Sequence, residues 1–277
     1  MSHRLGVILN MTGLLSIPFL FTACAAKPQN PSFPVTFSQA GKAVDQMRAD
    51  PKPLSRPLVI IGGFGDLNIS PPLFKNFFQT ISRDSRIITV SVCFCQSFNE
   101  CRQKVIEQID KAIPSTDPDF TAEVDVVGAS LGGLVARYSA APSDDPVHPR
   151  RLKIARLFSI SSPHSGATLA NLIAITAYHR DLRPNSPLLQ RLAEQDADAT
   201  YELFPYVRLH DELVGAKNAA PPGVDPFWLP NPPLTMAHLG AIIDTRILAD
   251  IARRLRGEES FTRFPATPLP ESEASRR

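Results

Sequence analysis

The chain is short of the residues on which several kinds of chemistry depend. It holds four cysteines in 277 residues, and no histidine is interleaved with Cys93, Cys95 and Cys101. With a fourth ligand missing as well, these three argue against a zinc site. Net charge is equally scarce: 29 basic residues against 27 acidic ones leave +2 at pH 7. That is too little to suggest nucleic-acid binding or electrostatic attraction to a membrane. There is no internal repeat. The one Gly-rich loop, Gly62-Gly63-Phe64-Gly65-Asp66, lacks both the spacing of a dinucleotide fingerprint and the lysine of a phosphate-binding P-loop. No cofactor is implied.

Proline, by contrast, is abundant at 27 residues, about twice the usual share of roughly 5%. It gathers before residue 57, over 221–233 and in the last twenty residues, so it marks loops. At 43% hydrophobic and 20% charged, the remainder is ordinary globular material, long enough for one sizeable core. The first 23 residues contain no acid. His3 and Arg4 make a weakly positive start, and residues 5–21 are mostly apolar, ending at Ala23-Cys24. A spanning helix needs about 20 apolar residues, and Asn10 and Pro18 interrupt this run. The segment resembles the lipobox of bacterial lipoproteins, with Phe21 where leucine is more usual. The resemblance implies cleavage before Cys24, a lipid on that cysteine, and an exported protein attached to the cell envelope, facing the periplasm or the outside. A plain secretory signal or a membrane anchor are the alternatives. Outside the cytosol a disulfide is plausible, with Cys101 paired to Cys93 or to Cys95.

After the signal, residues 24–56 read as a tether and N-terminal extension with one short helix over 38–48. Alternation then begins. Apolar runs at 58–61, 87–93, 123–127, 154–160 and 206–209 read as buried strands. Helical spacing appears over 72–81, 98–113, 131–141 and 242–255. Strands alternating with helices imply a mostly parallel, doubly wound α/β sheet with helices on both faces. Residues 165–205 are too long for one connection. Helices over 169–177 and 186–193 would make a small lid or cap there. The catalytic unit spans 57–256, and residues 257–277 read as a disordered tail.

The most informative motif is Gly128-Ala129-Ser130-Leu131-Gly132, set between a strand and a helix. In that context the serine sits on a sharp turn with its hydroxyl projecting from the sheet edge. A free hydroxyl is a poor nucleophile near neutral pH, so a histidine must take its proton and an acid must orient that histidine. His238, the last histidine, precedes the final helix and is the candidate base. His164, after the fourth strand, is the runner-up, and His148 sits in a polar loop. Asp211, at the end of the fifth strand, is the candidate acid; its neighbour Glu212 and Asp225 are the rivals. Oxyanion donors would be the backbone N–H groups of Leu131 and of Phe64 in the Gly-rich loop.

Together, Gly-Gly-Phe-Gly at 62–65, Gly-Ala-Ser-Leu-Gly-Gly at 128–133, Ser-Ser-Pro-His-Ser-Gly at 161–166, Asp-Glu-Leu-Val at 211–214 and His-Leu-Gly at 238–240 resemble the α/β-hydrolase superfamily. The likeness is greatest to bacterial lipases and GPI inositol-deacylase-like members, and it covers about 57–255. One departure is Gly62, where many relatives carry histidine. The resemblance implies a serine hydrolase of carboxylic esters with a lipidic small-molecule substrate, in contact with a membrane through its lipid anchor. An acyltransferase with the same triad and a non-catalytic envelope-binding module are the alternatives. Apolar residues between Leu169 and Leu192 would shape an acyl pocket, with Phe227-Trp228-Leu229 as an aromatic wall.

Overall fold

A computed structural model describes residues 29–66, 69–143, 145–168, 180–195 and 199–275. The signal segment, Cys24 and the helix expected over 169–177 lie outside the described residues.

Six strands form one sheet among the described residues: β1 (Leu58–Ile61), β2 (Ile87–Val90), β3 (Val124–Ala129), β4 (Ile154–Ile160), β5 (Glu202–Arg208) and β6 (Phe227–Leu229). Their order is β2-β1-β3-β4-β5-β6, and every pair is parallel. A parallel sheet needs cover on both faces, which is why its strands are apolar on both sides. Adjacent residues point opposite ways. Val127 and Phe158 enter one core, and Val126 and Leu157 enter the other. The first core is closed by α1 (Phe37–Ala49), α2 (Ser70–Ser82) and α7 (Thr245–Leu255). The second is closed by α3 (Phe98–Ala112), α4 (Leu131–Ala140) and α5 (Pro187–Gln195). The chain runs outward from β1 to β2, then returns across β1 to β3. Strand order therefore reverses between β1 and β3, and the crevice at their C-terminal ends is where such sheets hold their sites.

The α/β-hydrolase architecture read from the sequence is the one observed. Local chemistry accounts for the element ends. Thr36 and Gln39 form a reciprocal capping box that starts α1. Its Ala40, Ala43, Val44 and Met47 pack into the first core, so the N-terminal extension is part of the folded body. The helix expected over 242–255 is α7, which starts at Thr245, and a separate short helix, α6 (Ala237–Ile242), precedes it. Asp244 divides them, because its carboxylate accepts the Arg246 N–H and starts a new helix. The second strand stops at Val90, short of residue 93.

Four further expectations are corrected. Residues 227–229 are not the wall of a pocket: they are β6, buried on both faces and paired with β5. The tail is not disordered over its described part. The Trp228 indole N–H donates to the Thr267 carbonyl at 2.9 Å, Thr262 is buried beside Asp250, and Glu273 accepts the His210 N–H in α8 (Glu271–Ala274). Residues 202–205, given to the cap, belong to β5, and Leu189 and Leu192 of α5 are buried in the second core. Cys93, Cys95 and Cys101 are buried thiols, with no disulfide formed among them.

Candidate active site

Ser130 lies between β3 and α4 with φ +49° and ψ −124°. A non-glycine residue in such a conformation stores about 1–3 kcal/mol of strain. The turn is held by the Ser130 N–H donating to the Ile160 carbonyl at 2.8 Å. Glycine at 132 makes the close approach possible: a Cβ there would sit 2.2 Å from the Ile61 carbonyl oxygen. The first turn of α4 therefore lies directly against the end of β1. The loop after β1 reaches the serine as well, since a Cβ on Gly63 would be 3.1 Å from Ser130 Cβ. Leu131 is the first residue of α4, directly after the half-buried Ser130, and Phe64 follows Gly63 in the loop that approaches it. At Gly62 the Asp66 carboxylate and the Pro71 ring occupy the space a side chain would need.

His238, in α6, meets the serine from the other side. The Ser130 hydroxyl lies 3.0 Å from His238 Nε2, and His238 Nδ1 lies 3.0 and 3.1 Å from the two carboxylate oxygens of Asp211. Asp211 follows β5 on a turn in which His210 has φ +64°. Its Oδ1 also accepts the N–H groups of Leu213 and Val214 at 3.1 and 2.9 Å. Burial pushes the Asp211 carboxyl up, but the hydrogen bond and charge of His238 and the Val214 N–H more than offset it. The group stays below its ordinary 3.8. A carboxylate thus faces Nδ1 at neutral pH, which fixes the proton on that nitrogen and leaves Nε2 to accept one from the serine. The arrangement can raise the nucleophilicity of the Ser130 hydroxyl.

The other candidates lie elsewhere. His164 is fully buried, with Nε2 2.9 Å from Ser159 Oγ, and Arg137 donates to its carbonyl. Burial, then the charge of Arg137, holds its pKa well below the ordinary 6.5. It is a neutral core histidine. His148 pairs with Asp145 on the surface. Asp225 is exposed in the loop before β6, at the opposite end of that strand.

Glu212 does not compete for the imidazole. Its Oε2 accepts the backbone N–H groups of Ala237 and His238 at 2.9 and 3.3 Å. One acid thus holds the ring and its neighbour holds the backbone of the same histidine. Sequence reasoning missed this, and also missed the bed on which α6 lies. Gly240 packs so closely on Arg208 that a Cβ would be 2.1 Å from its guanidinium. Asp244 in turn receives Arg208 at 2.8 Å and Arg246 at 2.7 Å. An arginine ending a strand that is buried otherwise was the available signal.

A family model described as palmitoyl protein thioesterase matches residues 57–203. The match takes in Ser130 and stops before Asp211 and His238. Among solved structures, the product of gene lin2722 from Listeria innocua superimposes with a TM-score of 0.51 at 13% identity, over 76% of this chain and 96% of that one. The mature form of Bacillus licheniformis lipase BlEst2 gives 0.49 at 14% identity, over 77% and 94%. No curated protein sequence matches the chain.

The state of His164 has a consequence for stability. Its folded pKa is depressed, so the unfolded chain binds the extra proton first. Stability is full above the ordinary 6.5 and drains as pH falls from there towards the folded value, by at most about 1.4 kcal/mol per pH unit. Urea unfolding between pH 7.5 and 5 should show this decline, and His164→Gln should flatten it.

Proposed function

The chain belongs to the palmitoyl protein thioesterase family, and from that premise we propose that it is a serine hydrolase that cleaves acyl esters or thioesters through a covalent acyl-enzyme. The observation that carries the reading is the 3.0 Å contact between Ser130 Oγ and His238 Nε2, backed by Asp211 at 3.0 Å. The catalytic unit is residues 57–256.

The mechanism follows from this geometry. Ser130 Oγ bonds to the acyl carbon while its proton passes to His238 Nε2. Asp211 holds the imidazole in the tautomer that can accept that proton and then stabilises the imidazolium; it does not take the proton itself. The carbonyl oxygen gains charge next to the N–H groups of Phe64 and Leu131. Such a donor contributes about 2.7–4 kcal/mol to the transition state. The carbon–oxygen or carbon–sulfur bond then breaks, and His238 returns the proton to the leaving alcohol or thiol. Water repeats the sequence: its proton goes to His238, its oxygen joins the acyl carbon, the Ser130 ester bond breaks as His238 returns the proton to Ser130 Oγ, and a carboxylic acid leaves. The acyl portion is lipidic in this reading, which rests on the family.

Export belongs to the same proposal. Residues 1–23 would be removed and Cys24 would carry lipid, placing the enzyme on a bacterial envelope membrane. The absence of acid in that segment and the small residue before Cys24 support it.

Three outcomes are expected. A fluorophosphonate probe labels the wild type, and Ser130→Ala abolishes both the label and hydrolysis of a graded series of oxyesters and thioesters, by at least about a thousandfold. Labelling retained in Ser130→Ala rejects the nucleophile. Glu212→Ala lowers kcat about tenfold, or about 1.4 kcal/mol, with KM within twofold, and Glu212→Gln restores most of it because the amide oxygen still accepts both N–H groups. Equal kcat in all three proteins rejects the positioning role. Metabolic labelling with a radioactive fatty acid marks the wild type, and Cys24→Ala loses the mark; an unlabelled wild type rejects the anchor.

A further inference from the structure

Among the described residues, most of the large apolar side chains left exposed gather at the C-terminal ends of the strands, the pole at which Ser130 opens; Phe37, Val147, Val224 and Phe264 lie outside that group. On one flank Ile69 and Leu73 lie at the start of α2, and Phe94 follows β2, each more than half exposed. On the other flank Leu234 is fully exposed, Leu239 projects from the helix that carries His238, and Ile243 directly follows that helix. The flanks meet at the nucleophile, since the loop leading to Ile69 touches Ser130 through Gly63 and the helix bearing Leu239 touches it through His238.

Two features of this rim identify what it meets. First, the segments that form it are almost free of charge. Residues 69–74, 87–99 and 226–243 contain no Asp, Glu, Lys or Arg, and the carboxylate of Asp66, in the loop after β1, is taken up by Ser70. An anionic surface would call for basic residues beside the apolar ones. Second, the exposed apolar residues of these segments, with Phe64 and Met236 beside the six, are Phe, Ile, Leu and Met, with no Tyr, Trp or Arg among them. Those three types anchor protein interfaces and combine apolar area with a directed polar contact. A partner that asks only for apolar area, without direction and without charge, is the interior of a neutral lipid layer. Leu234 strengthens the case. It has φ +60°, a conformation unfavourable for leucine, and its side chain is held fully outward.

We propose that this rim rests on a neutral lipid surface and turns the Ser130 opening towards the acyl chains. The inference deepens the reading given above, because it supplies the route by which a lipidic ester reaches the serine. The physical claim concerns the rim alone and holds in a catalytically dead protein.

The test reads orientation, so that lipid attached at the N-terminus does not decide it. Leu234→Trp and Val147→Trp are each made in full-length Ser130→Ala protein. Val147 is exposed before β4, at the opposite pole. Each is mixed with phosphatidylcholine vesicles brominated in mid-chain. Quenching at least threefold stronger for Leu234→Trp than for Val147→Trp, unchanged between 0.1 and 0.5 M NaCl, is the expected result. Equal quenching, no quenching, or self-association of the protein burying residue 234 without lipid overturns the proposal. In the active protein, Leu234→Ser with Ile243→Ser should lower hydrolysis of a vesicle-dispersed ester at least tenfold while changing that of a water-soluble short-chain ester less than twofold. An equal loss on both substrates also overturns it. A protein that docks but hydrolyses neither ester would instead reject the enzymatic reading.

Discussion

The contact between the first turn of α4 and the carbonyl end of β1 is the constraint on which the candidate site depends. Residue 132 must be glycine because the Ile61 oxygen occupies the place of its Cβ. That contact draws the helix start down onto the strand and leaves Ser130 no relaxed conformation, so the serine is pushed up with φ +49°. The same contact brings the loop after β1 to the nucleophile. Strain at one residue and van der Waals contact at another are two sides of one arrangement. The six-stranded sheet and its two cores keep the helix from backing away.

The base is held with comparable redundancy. Its ring is fixed by Asp211, its backbone N–H by Glu212, and its helix by Arg208 beneath Gly240. These restraints come from β5, the turn after it and α6. None is close in sequence to Ser130, so the geometry is a product of sheet order. The buried charges around Arg208, Asp244 and Arg246 are paired within one cluster, as burial requires.

The sequence shows the sheet and the Ser130 turn because both rest on local rules: continuous apolar runs for strands buried on two faces, and small residues around a sharp turn. Asp211 and His238 were legible through their order along the chain and their position after β5 and before the last helices. What escaped depended on distant neighbours. Phe227-Trp228-Leu229 is too short and too aromatic to separate from a pocket wall until β5 is there to pair with it. The break before α7 rests on one cap, Asp244, within a run that otherwise reads as continuous helix. The role of Glu212 was hidden because two adjacent acids on a turn diverge, and the φ of His210 decides which of them meets the ring. The proline-rich tail looked unstructured by composition, but its carbonyls at 267 and 268 satisfy the Trp228 indole N–H, a partner almost forty residues away.

That last feature reaches into the site itself. The Glu273 carboxylate, in α8, accepts the N–H of His210, which immediately precedes Asp211. The segment that carries α8 is thus mechanically joined to the turn that presents the acid. An insertion or a protease nick beside α8 would pull on that turn, so engineering of this protein is better directed to loops remote from both.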